Sequence, residues 1–154
     1  MDLFNKVVKK LINKGITTSV AESCKGGLLS YKISSISGVS NIYFGGFVVY
    51  SNKLKSSILK ISSKLILKYG AVSKEIAEQM LAGLYNKNKS QLCICTTGIA
   101  GPTGGTKNKP VGLVFIGIRY NNKKIIIKKK YIGTRKQIQK KTVQDIFKKL
   151  DSLI

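Results

Sequence analysis

Residues 21–27, AESCKGG, stand between two contrasting patterns and decide the fold of the chain. A β-branched run at residues 16–20 precedes them, and three apolar residues at helical spacing follow: Leu29, Ile33 and Ile36. This order predicts a strand, a tight turn and a helix that closes at Gly38. Such a turn places a small polar side chain at the carboxyl end of a strand, beside the free N–H groups of a helix start. Ser23 is therefore either a nucleophile or ligand-binding hydroxyl, or a helix cap.

The rest of the chain alternates between helical and strand patterns. Asp2, Ser73 and Thr134 precede amphipathic stretches and predict helix starts, the first helix ending near Gly15. Ser51-Asn52 predicts the start of a short helix. Residues 62–69 are predicted to form a short helix or a loop, which ends at Gly70. Strands are predicted at residues 47–50, 92–97, 111–120 and 124–131. Gly45-Gly46 marks a bulge or a close approach beside the first of these strands, and Asn121-Asn122 predicts a hairpin between the last two.

Interleaved helices and strands with a late hairpin predict a three-layer α/β/α fold. We expect a single domain over residues 1–154, with a mixed, mainly parallel sheet of about five strands. No apolar run approaches the ~20 residues of a spanning helix, and no signal-peptide pattern opens the chain. We therefore expect a cytoplasmic protein that does not contact a membrane.

The composition narrows the possible chemistry. The chain has no histidine, which excludes Ser-His-Asp and Cys-His catalysis and histidine metal sites. Its six carboxylates are scattered, so a paired-carboxylate site is not expected either. Of the three cysteines, Cys93 and Cys95 share one face of a strand and are interpreted as core, and Cys24 as a small packing residue. A hydroxyl nucleophile here requires a lysine or tyrosine partner, and no metal or cofactor is predicted.

The formal net charge of +22 admits two interpretations. A strongly basic chain is typical of proteins that bind nucleic acid or a membrane surface. However, the 28 basic residues include only two arginines, Arg119 and Arg135, and the lysines are spread along the whole chain. Nucleic-acid sites favour arginine, so a compositional bias toward lysine, isoleucine and asparagine is the simpler explanation. We expect at most nonspecific binding to polyanions at low salt.

Three loops at the carboxyl ends of strands hold the polar groups that can carry chemistry. They are the Ser23 turn, residues 50–55 (YSNKLK) and residues 97–105 (TGIAGPTGG), the last followed by residues 109–112 (KPVG). In an open α/β sheet such loops meet at one crevice, where ligands bind.

Together these motifs resemble the C-terminal domain of the competence/damage-inducible CinA proteins, which also occurs alone as a nicotinamide-mononucleotide amidohydrolase. The family pattern A-E-S-C-T-G-G is met except at Lys25, where threonine is expected. Y-S-N-x-x-K, T-G-I-A-G-P-x-G-G and K-P-V-G are all met in order, and a G-[DT]-R element corresponds to residues 133–135. A second arginine common near the start of the last helix is Gln139 here.

The resemblance implies that Ser23 attacks the carboxamide carbon of nicotinamide mononucleotide. It implies Lys55 as the base, Tyr50 as a proton relay or as the group that orients the lysine, and Thr97 as a hydrogen-bonding partner of the reacting group. The oxyanion is expected at N–H groups at the start of the helix that follows Gly26 and Gly27. Expected substrate-binding residues are the glycine-rich loop and the last helix: Gly98, Ala100, Gly101, Gly104, Gly105 and Arg135.

Several points stay open at this stage. Lys25 either strengthens phosphate binding, lowers the pKa of Lys55 together with Lys53, or obstructs the turn. Glu22 is expected to point away from Ser23 and to brace the turn. A non-catalytic domain that binds nucleotides or associates with nucleic acid is the alternative function, and an enzyme acting on a different small amide is a third. We also expect a homo-oligomer, such as a dimer.

Overall fold

The computed structural model describes residues 1–154. Helices and strands alternate from residue 3 to residue 59, after which two more helices, three strands and a last helix follow. The helices are α1 (Leu3–Asn13), α2 (Leu28–Ser34), α3 (Asn52–Leu59), α4 (Ser63–Tyr69), α5 (Lys74–Asn88) and α6 (Arg135–Leu153). The strands are β1 (Thr18–Glu22), β2 (Tyr43–Val48), β3 (Leu92–Gly98), β4 (Leu113–Tyr120) and β5 (Lys123–Lys130).

The five strands form one mixed sheet in the order β2-β1-β3-β4-β5. Strand β1 lies at the centre of the parallel half and pairs with β2 on one side and β3 on the other. Strands β3, β4 and β5 pair in antiparallel fashion. The predicted three-layer fold with a mixed, mainly parallel sheet is confirmed, since β5 runs in the same direction as β1, β2 and β3 and only β4 runs against them.

Each face of the sheet is covered by its own apolar cluster. Alternation along β3 sends Leu92 and Ile94 into the layer that contains α1, α2 and α6. It sends Cys93 and Cys95 to the opposite layer, against α5. Both thiols are fully buried, as predicted, and Cys95 donates a hydrogen bond to the Ala77 carbonyl.

Pairing between strands shifts two of the predicted boundaries. Strand β1 begins at Thr18 and runs to Glu22 because its register with β2 and β3 continues to the pairs Glu22–Val48 and Glu22–Thr96. Ser23 is therefore the first residue beyond the strand. Strand β2 covers Tyr43–Val48 and not residues 47–50, so Tyr50 lies in the loop that follows it. The predicted close approach is present, since a Cβ on Gly46 would lie 2.4 Å from a methyl group of Val20.

The predicted turn and caps are confirmed. Residues 121 and 122 form the hairpin between β4 and β5. Side chains of Asp2, Ser73 and Thr134 accept hydrogen bonds from N–H groups in the first turns of α1, α5 and α6. Helix α2 is shorter than predicted and ends at Ser34, before a 3₁₀ turn at Val39–Asn41. None of the helices combines the length and apolar character needed to cross a bilayer.

Candidate active site

The carboxyl ends of the three parallel strands meet at one cleft, as open α/β sheets require. The turn after β1 contributes Ser23, the loop after β2 contributes Tyr50, and the end of β3 contributes Thr97 and Gly98. Helix α6 adds Arg135 from its first turn. The cleft has a volume of about 240 Å³.

Lys55 and Ser23 lie side by side at the base of this cleft. Ser51 caps α3 by accepting a hydrogen bond from the Leu54 N–H, and the helix then turns the Lys55 side chain inward. Lys55 is only 2% exposed. Its Nζ lies 3.2 Å from Ser23 Oγ, 3.1 Å from the Val49 carbonyl oxygen and 3.3 Å from the Tyr50 carbonyl oxygen. The structure therefore brings together the two residues that the sequence pairs as nucleophile and base.

The two carbonyl groups fix how the Lys55 amine can bind Ser23. A carbonyl oxygen only accepts hydrogen bonds, so two of the three free positions on Nζ must carry hydrogen. The third position faces Ser23 Oγ. In the charged amine that position holds a proton donated to Ser23, whereas in the neutral amine it holds the lone pair that can accept the Ser23 proton. The geometry is that of a general base once the amine is neutral.

Burial lowers the pKa of Lys55 below the usual value of 10.5, and the nearby thiol of Cys24 acts in the opposite direction. From the sequence alone, both burial and the charges of Lys25 and Lys53 are expected to lower this pKa. Lys53 is exposed, and Lys25 is itself buried with a lowered pKa. The physical cause is desolvation, and the expected contribution of neighbouring charge is not found.

Glu22 braces the turn that carries Ser23, as predicted. Its side chain points to the opposite side of β1 from Ser23, is fully buried and accepts hydrogen bonds from the N–H groups of Leu29 at 2.9 Å and Ser30 at 3.0 Å. These are N–H groups of the first turn of α2, where the sequence placed the oxyanion. Because Glu22 already occupies these two groups, the N–H of the N-cap residue Gly27 is what remains free at the start of this helix. The N–H groups of Cys24, Lys25 and Gly27 make no hydrogen bond within the chain and are the remaining candidates.

Tyr50 faces the mouth of the cleft and contacts Arg135. Its hydroxyl accepts a hydrogen bond of 2.6 Å from Arg135 Nη2, while Nη1 of the same guanidinium donates to the Gly101 carbonyl at 2.7 Å. The Tyr50 hydroxyl forms no hydrogen bond with Lys55, so the structure offers no relay through it. Tyr50 orients the lysine through its backbone carbonyl.

Thr97 is buried, with its hydroxyl facing the region between α4 and α5. Its Oγ1 donates a 2.8 Å hydrogen bond to the Ala71 carbonyl. The hydroxyl hydrogen is therefore in use, and the oxygen keeps lone pairs that can accept an N–H from a ligand in the cleft. An amide NH₂ group is the kind of partner that such an acceptor suits.

The predicted binding residues divide into two groups. Gly98, Ala100, Gly101, Gly104 and Arg135 line the cleft. The other three do not: Gly26, Gly27 and Gly105. A Cβ on Gly105 would lie 2.7 Å from the Val111 backbone nitrogen, which explains the glycine by packing.

Sequence reasoning missed part of the cleft wall. The additional lining residues are Cys24, Asn52, Ala71, Val72, Ile99 and Thr103. Asn52, Ile99 and Thr103 stand inside the motifs and could have been found there. Ala71 and Val72 stand between two helices without a motif, and only the packing of α5 against β3 places them at the cleft.

No group of three or more cysteine, aspartate and glutamate side chains is placed to hold a metal ion. The polar side chains of the cleft are instead hydroxyls, the Cys24 thiol, the Asn52 carboxamide, one amine and one guanidinium. This set binds and activates neutral or anionic organic groups by hydrogen bonds and proton transfer.

Fold and site together define an α/β protein with a buried Ser–Lys pair at the carboxyl ends of parallel strands. A family model described as the CinA C-terminal domain matches residues 1–154. The chain belongs to the CinA C-terminal domain family.

Relatives and solved structures agree with this assignment. The chain is 48% identical over 138 residues to a CinA-like protein of Prochlorococcus marinus, covering 89% of this chain and 32% of that protein. It is 42% identical over 145 residues to a CinA-like protein of Fusobacterium nucleatum, covering 92% and 35%. The chain thus spans about a third of the length of these curated relatives.

Two crystal structures show how closely the fold is shared. The competence/damage-inducible protein CihA of Agrobacterium tumefaciens has a TM-score of 0.92 at 31% identity, with 99% of this chain and 96% of that chain covered. A CinA-superfamily protein of Escherichia coli has a TM-score of 0.93 at 26% identity, with 99% and 88% covered.

Proposed function

We propose that the protein is an amidohydrolase that converts nicotinamide mononucleotide to nicotinate mononucleotide and ammonia. The observation that carries the proposal is the 3.2 Å contact between Ser23 Oγ and the buried amine of Lys55 in a chain without histidine. A serine hydroxyl needs a base within hydrogen-bond reach to act as a nucleophile at neutral pH. Lys55 supplies one.

Ser23 and Lys55 carry out the reaction in two steps, acylation of the serine and hydrolysis of the acyl-serine. Lys55 removes the Ser23 proton as Oγ bonds to the carboxamide carbon, and the carbonyl oxygen becomes an oxyanion. The tetrahedral intermediate collapses, the C–N bond breaks, and the proton held by Lys55 passes to the leaving nitrogen as ammonia. Water then attacks the acyl-serine, Lys55 takes its proton and returns it to Ser23 Oγ, and the carboxylate product leaves.

The other cleft residues suit the two ends of this substrate. Thr97 Oγ1 can accept an N–H of the carboxamide, because its own hydrogen is bound to Ala71. Arg135 uses one N–H on Gly101 and one on Tyr50, which leaves other guanidinium N–H groups for a phosphate. The phosphate is expected beside the glycine-rich loop, because Gly98, Gly101 and Gly104 line the same cleft as Arg135.

The test is ammonia release from nicotinamide mononucleotide by the purified protein, measured beside free nicotinamide. We expect turnover of the nucleotide and little of nicotinamide, because the latter has no phosphate for Arg135. Similar rates on both would favour a different small amide as the substrate. Release from neither would favour the non-catalytic alternative.

The role of Ser23 is tested by Ser23→Ala, with exposed Ser40→Ala as the matched control. We expect the first variant to lose a factor of about 10³ or more in turnover while substrate binding persists, and the second to behave as wild type. Activity retained in Ser23→Ala would move the nucleophile to Cys24 or Thr97.

The charge of +22 is the observation that favours the second candidate, a non-catalytic domain associated with nucleic acid. The most lysine-dense element, β5, is an edge strand whose end residues, Lys123, Lys124 and Lys128–Lys130, are exposed. Lysines on an edge strand also prevent that strand from pairing with another chain. This explains the lysines of β5 without any bound nucleic acid. The amidohydrolase is therefore the better supported function.

A further inference from the structure

Helix α6 reaches the Ser23 turn through one side chain, Gln139. Its Nε2 donates a 2.8 Å hydrogen bond to the Cys24 carbonyl oxygen, one residue after the candidate nucleophile. Arg135, one turn earlier on the same helix, holds Gly101 and Tyr50. The first two turns of α6 therefore contact all three loops that form the cleft.

The Ser23 turn makes few hydrogen bonds of its own. Gly26 and Gly27 adopt positive φ angles of 58° and 103°, and the turn closes through two 3.2 Å bonds, from Gly26 N–H to Ser23 and from Leu28 N–H to Lys25. The Cys24 carbonyl accepts no other hydrogen bond from the chain. Gln139 is therefore the only group in the chain that donates a hydrogen bond to this peptide plane.

The orientation of this peptide plane matters for the oxyanion because the same peptide unit carries the Lys25 N–H. The peptide between Cys24 and Lys25 is planar and trans, so holding its C=O also sets the direction of the Lys25 N–H. The N–H groups of Cys24 and Lys25 are unpaired within the chain and adjoin Ser23. A hydrogen bond accepted at the carbonyl also polarises the N–H of the same peptide and strengthens it as a donor.

We propose that Gln139 is a positioning residue that fixes the Cys24–Lys25 peptide and so aims the Lys25 N–H, close to Ser23, at the developing oxyanion. This inference rests on the proposed serine mechanism. It assigns to α6 a role in the chemical step in addition to the contact of Arg135 at the mouth of the cleft.

The side-chain chemistry at residue 139 gives a clean set of variants. Only the NH₂ end of the glutamine can donate to a carbonyl. Gln139→Met keeps the length and removes the donor without adding charge. Gln139→Glu keeps the shape and replaces the donor with an acceptor. Gln139→Arg restores a donor, and Gln144→Met and Gln144→Glu on an exposed position of the same helix are the matched controls.

The experiment measures the rate at which an alkyl fluorophosphonate labels Ser23, followed by intact-protein mass. In this step the Ser23 oxygen bonds to phosphorus, the P–F bond breaks, fluoride leaves and Lys55 takes the hydroxyl proton. The probe needs neither a nucleotide nor an amide, so substrate identity does not enter. The Ser23→Ala variant sets the background, and thermal unfolding of each variant checks the fold.

We expect Gln139→Met and Gln139→Glu to label at least about 10-fold more slowly than wild type, since losing one oxyanion donor outright costs about 10²–10³. Gln139→Arg is expected to label within about threefold of the wild-type rate, because arginine restores a donor to the Cys24 carbonyl and the oxyanion donor is kept. Both Gln144 variants are expected to label at the wild-type rate. With nicotinamide mononucleotide, the Met and Glu variants are expected to lower kcat and leave KM nearly constant.

Two results would overturn the inference while leaving the proposed function intact. One is equal labelling of wild type and Gln139→Met. The other is equal slowing in all three Gln139 variants, which would show a packing role. A wild-type protein that labels no faster than Ser23→Ala would instead refute the serine mechanism, and the inference would fall with it.

Discussion

Two neighbouring regions each bury a lysine, and their surroundings differ. In the β2–α3 region Lys55 is 2% exposed and its amine contacts three oxygens, from Ser23, Val49 and Tyr50. In the β1–α2 turn Lys25 is 3% exposed, and its one hydrogen-bond contact is the Cys24 sulfur at 3.9 Å. Burial lowers the pKa of both amines, so desolvation alone does not distinguish them.

The two lysines differ in the hydrogen-bond acceptors around their amines. Lys55 keeps two fixed hydrogen bonds in either protonation state and can exchange a proton with Ser23 without losing them. For Lys25, the neighbouring Cys24 thiol, the Glu22 carboxylate and the Cys95 thiol only partly oppose the effect of burial, which lowers its pKa. A buried amine with one weak sulfur partner costs free energy. The amine of Lys55 therefore has the contacts that the proposed proton transfer needs, whereas Lys25 is a buried amine with one weak partner.

The largest expected effect comes from replacing Lys55. Lys55→Arg should lower turnover by about 10²–10⁴-fold, because guanidinium stays protonated and cannot act as a base. Steady-state ammonia release measures it, with exposed Lys53→Arg as the matched control. Near-normal turnover in Lys55→Arg would show that Lys55 is not the base and differs from Lys25 in its contacts only.

The next effect concerns stability and Lys25. Lys25→Met should raise the free energy of unfolding at pH 7 by about 1–3 kcal/mol, since an apolar side chain replaces a poorly partnered amine. Urea denaturation measures the change, and Lys64→Met at an exposed helical position controls for the loss of charge. A lower stability for Lys25→Met would show that the amine has a favourable partner.

The pH dependence of that stability has a definite sign. The lowered pKa means that the unfolded chain binds a proton at Lys25 more readily than the folded protein does. The free energy of unfolding therefore rises with pH from the lowered folded value up to the ordinary value of 10.5. Lys25→Met should remove this part of the slope, and an unchanged slope would show that Lys25 titrates normally.

A smaller effect is expected at Tyr50, which holds Lys55 by its backbone only. Tyr50→Phe keeps the carbonyl and removes the hydroxyl bound to Arg135. We expect KM to rise by about 2- to 10-fold, matching one hydrogen bond of about 0.5–1.5 kcal/mol, with kcat within about threefold. A large loss of kcat with constant KM would restore the hydroxyl as a proton relay.

The smallest expected effect is that of the two buried lysines on DNA binding. We expect only weak, sequence-independent DNA binding that disappears by about 200 mM salt, carried by exposed lysines such as those of β5. Lys25→Met and Lys55→Arg should leave it unchanged in fluorescence anisotropy. Tight binding with a sequence preference at that salt would favour the nucleic-acid alternative.

The sequence predicts the fold well because its signals are local. Caps at Asp2, Ser73 and Thr134, the hairpin at residues 121–122 and the strand–turn–helix around Ser23 each depend on neighbouring residues. The pairing of Ser23 with Lys55, 32 positions apart, came from the family resemblance and not from a local pattern. The ends of β1 and β2 were misplaced because strand register depends on partners that are distant in sequence.

The site details that sequence could not supply depend on tertiary packing. Nothing in the pattern AESCKGG shows that Glu22 occupies the helix N–H groups, or that Lys25 lies in the interior. The contact of Gln139 with Cys24 joins residues 115 positions apart. The direction of the Tyr50 side chain depends equally on Arg135, which only the docking of α6 brings near.

The most direct test is the pH dependence of single-turnover acylation in wild type and in Lys25→Met. We predict that the wild-type rate rises with pH through one ionisation below the usual lysine value, because burial lowers the pKa of Lys55. The same ionisation should appear unshifted in Lys25→Met, since Lys25 is a buried amine and not the cation that tunes its neighbour. A rate independent of pH, or an ionisation that moves upward in Lys25→Met, would contradict this assignment of the two lysines.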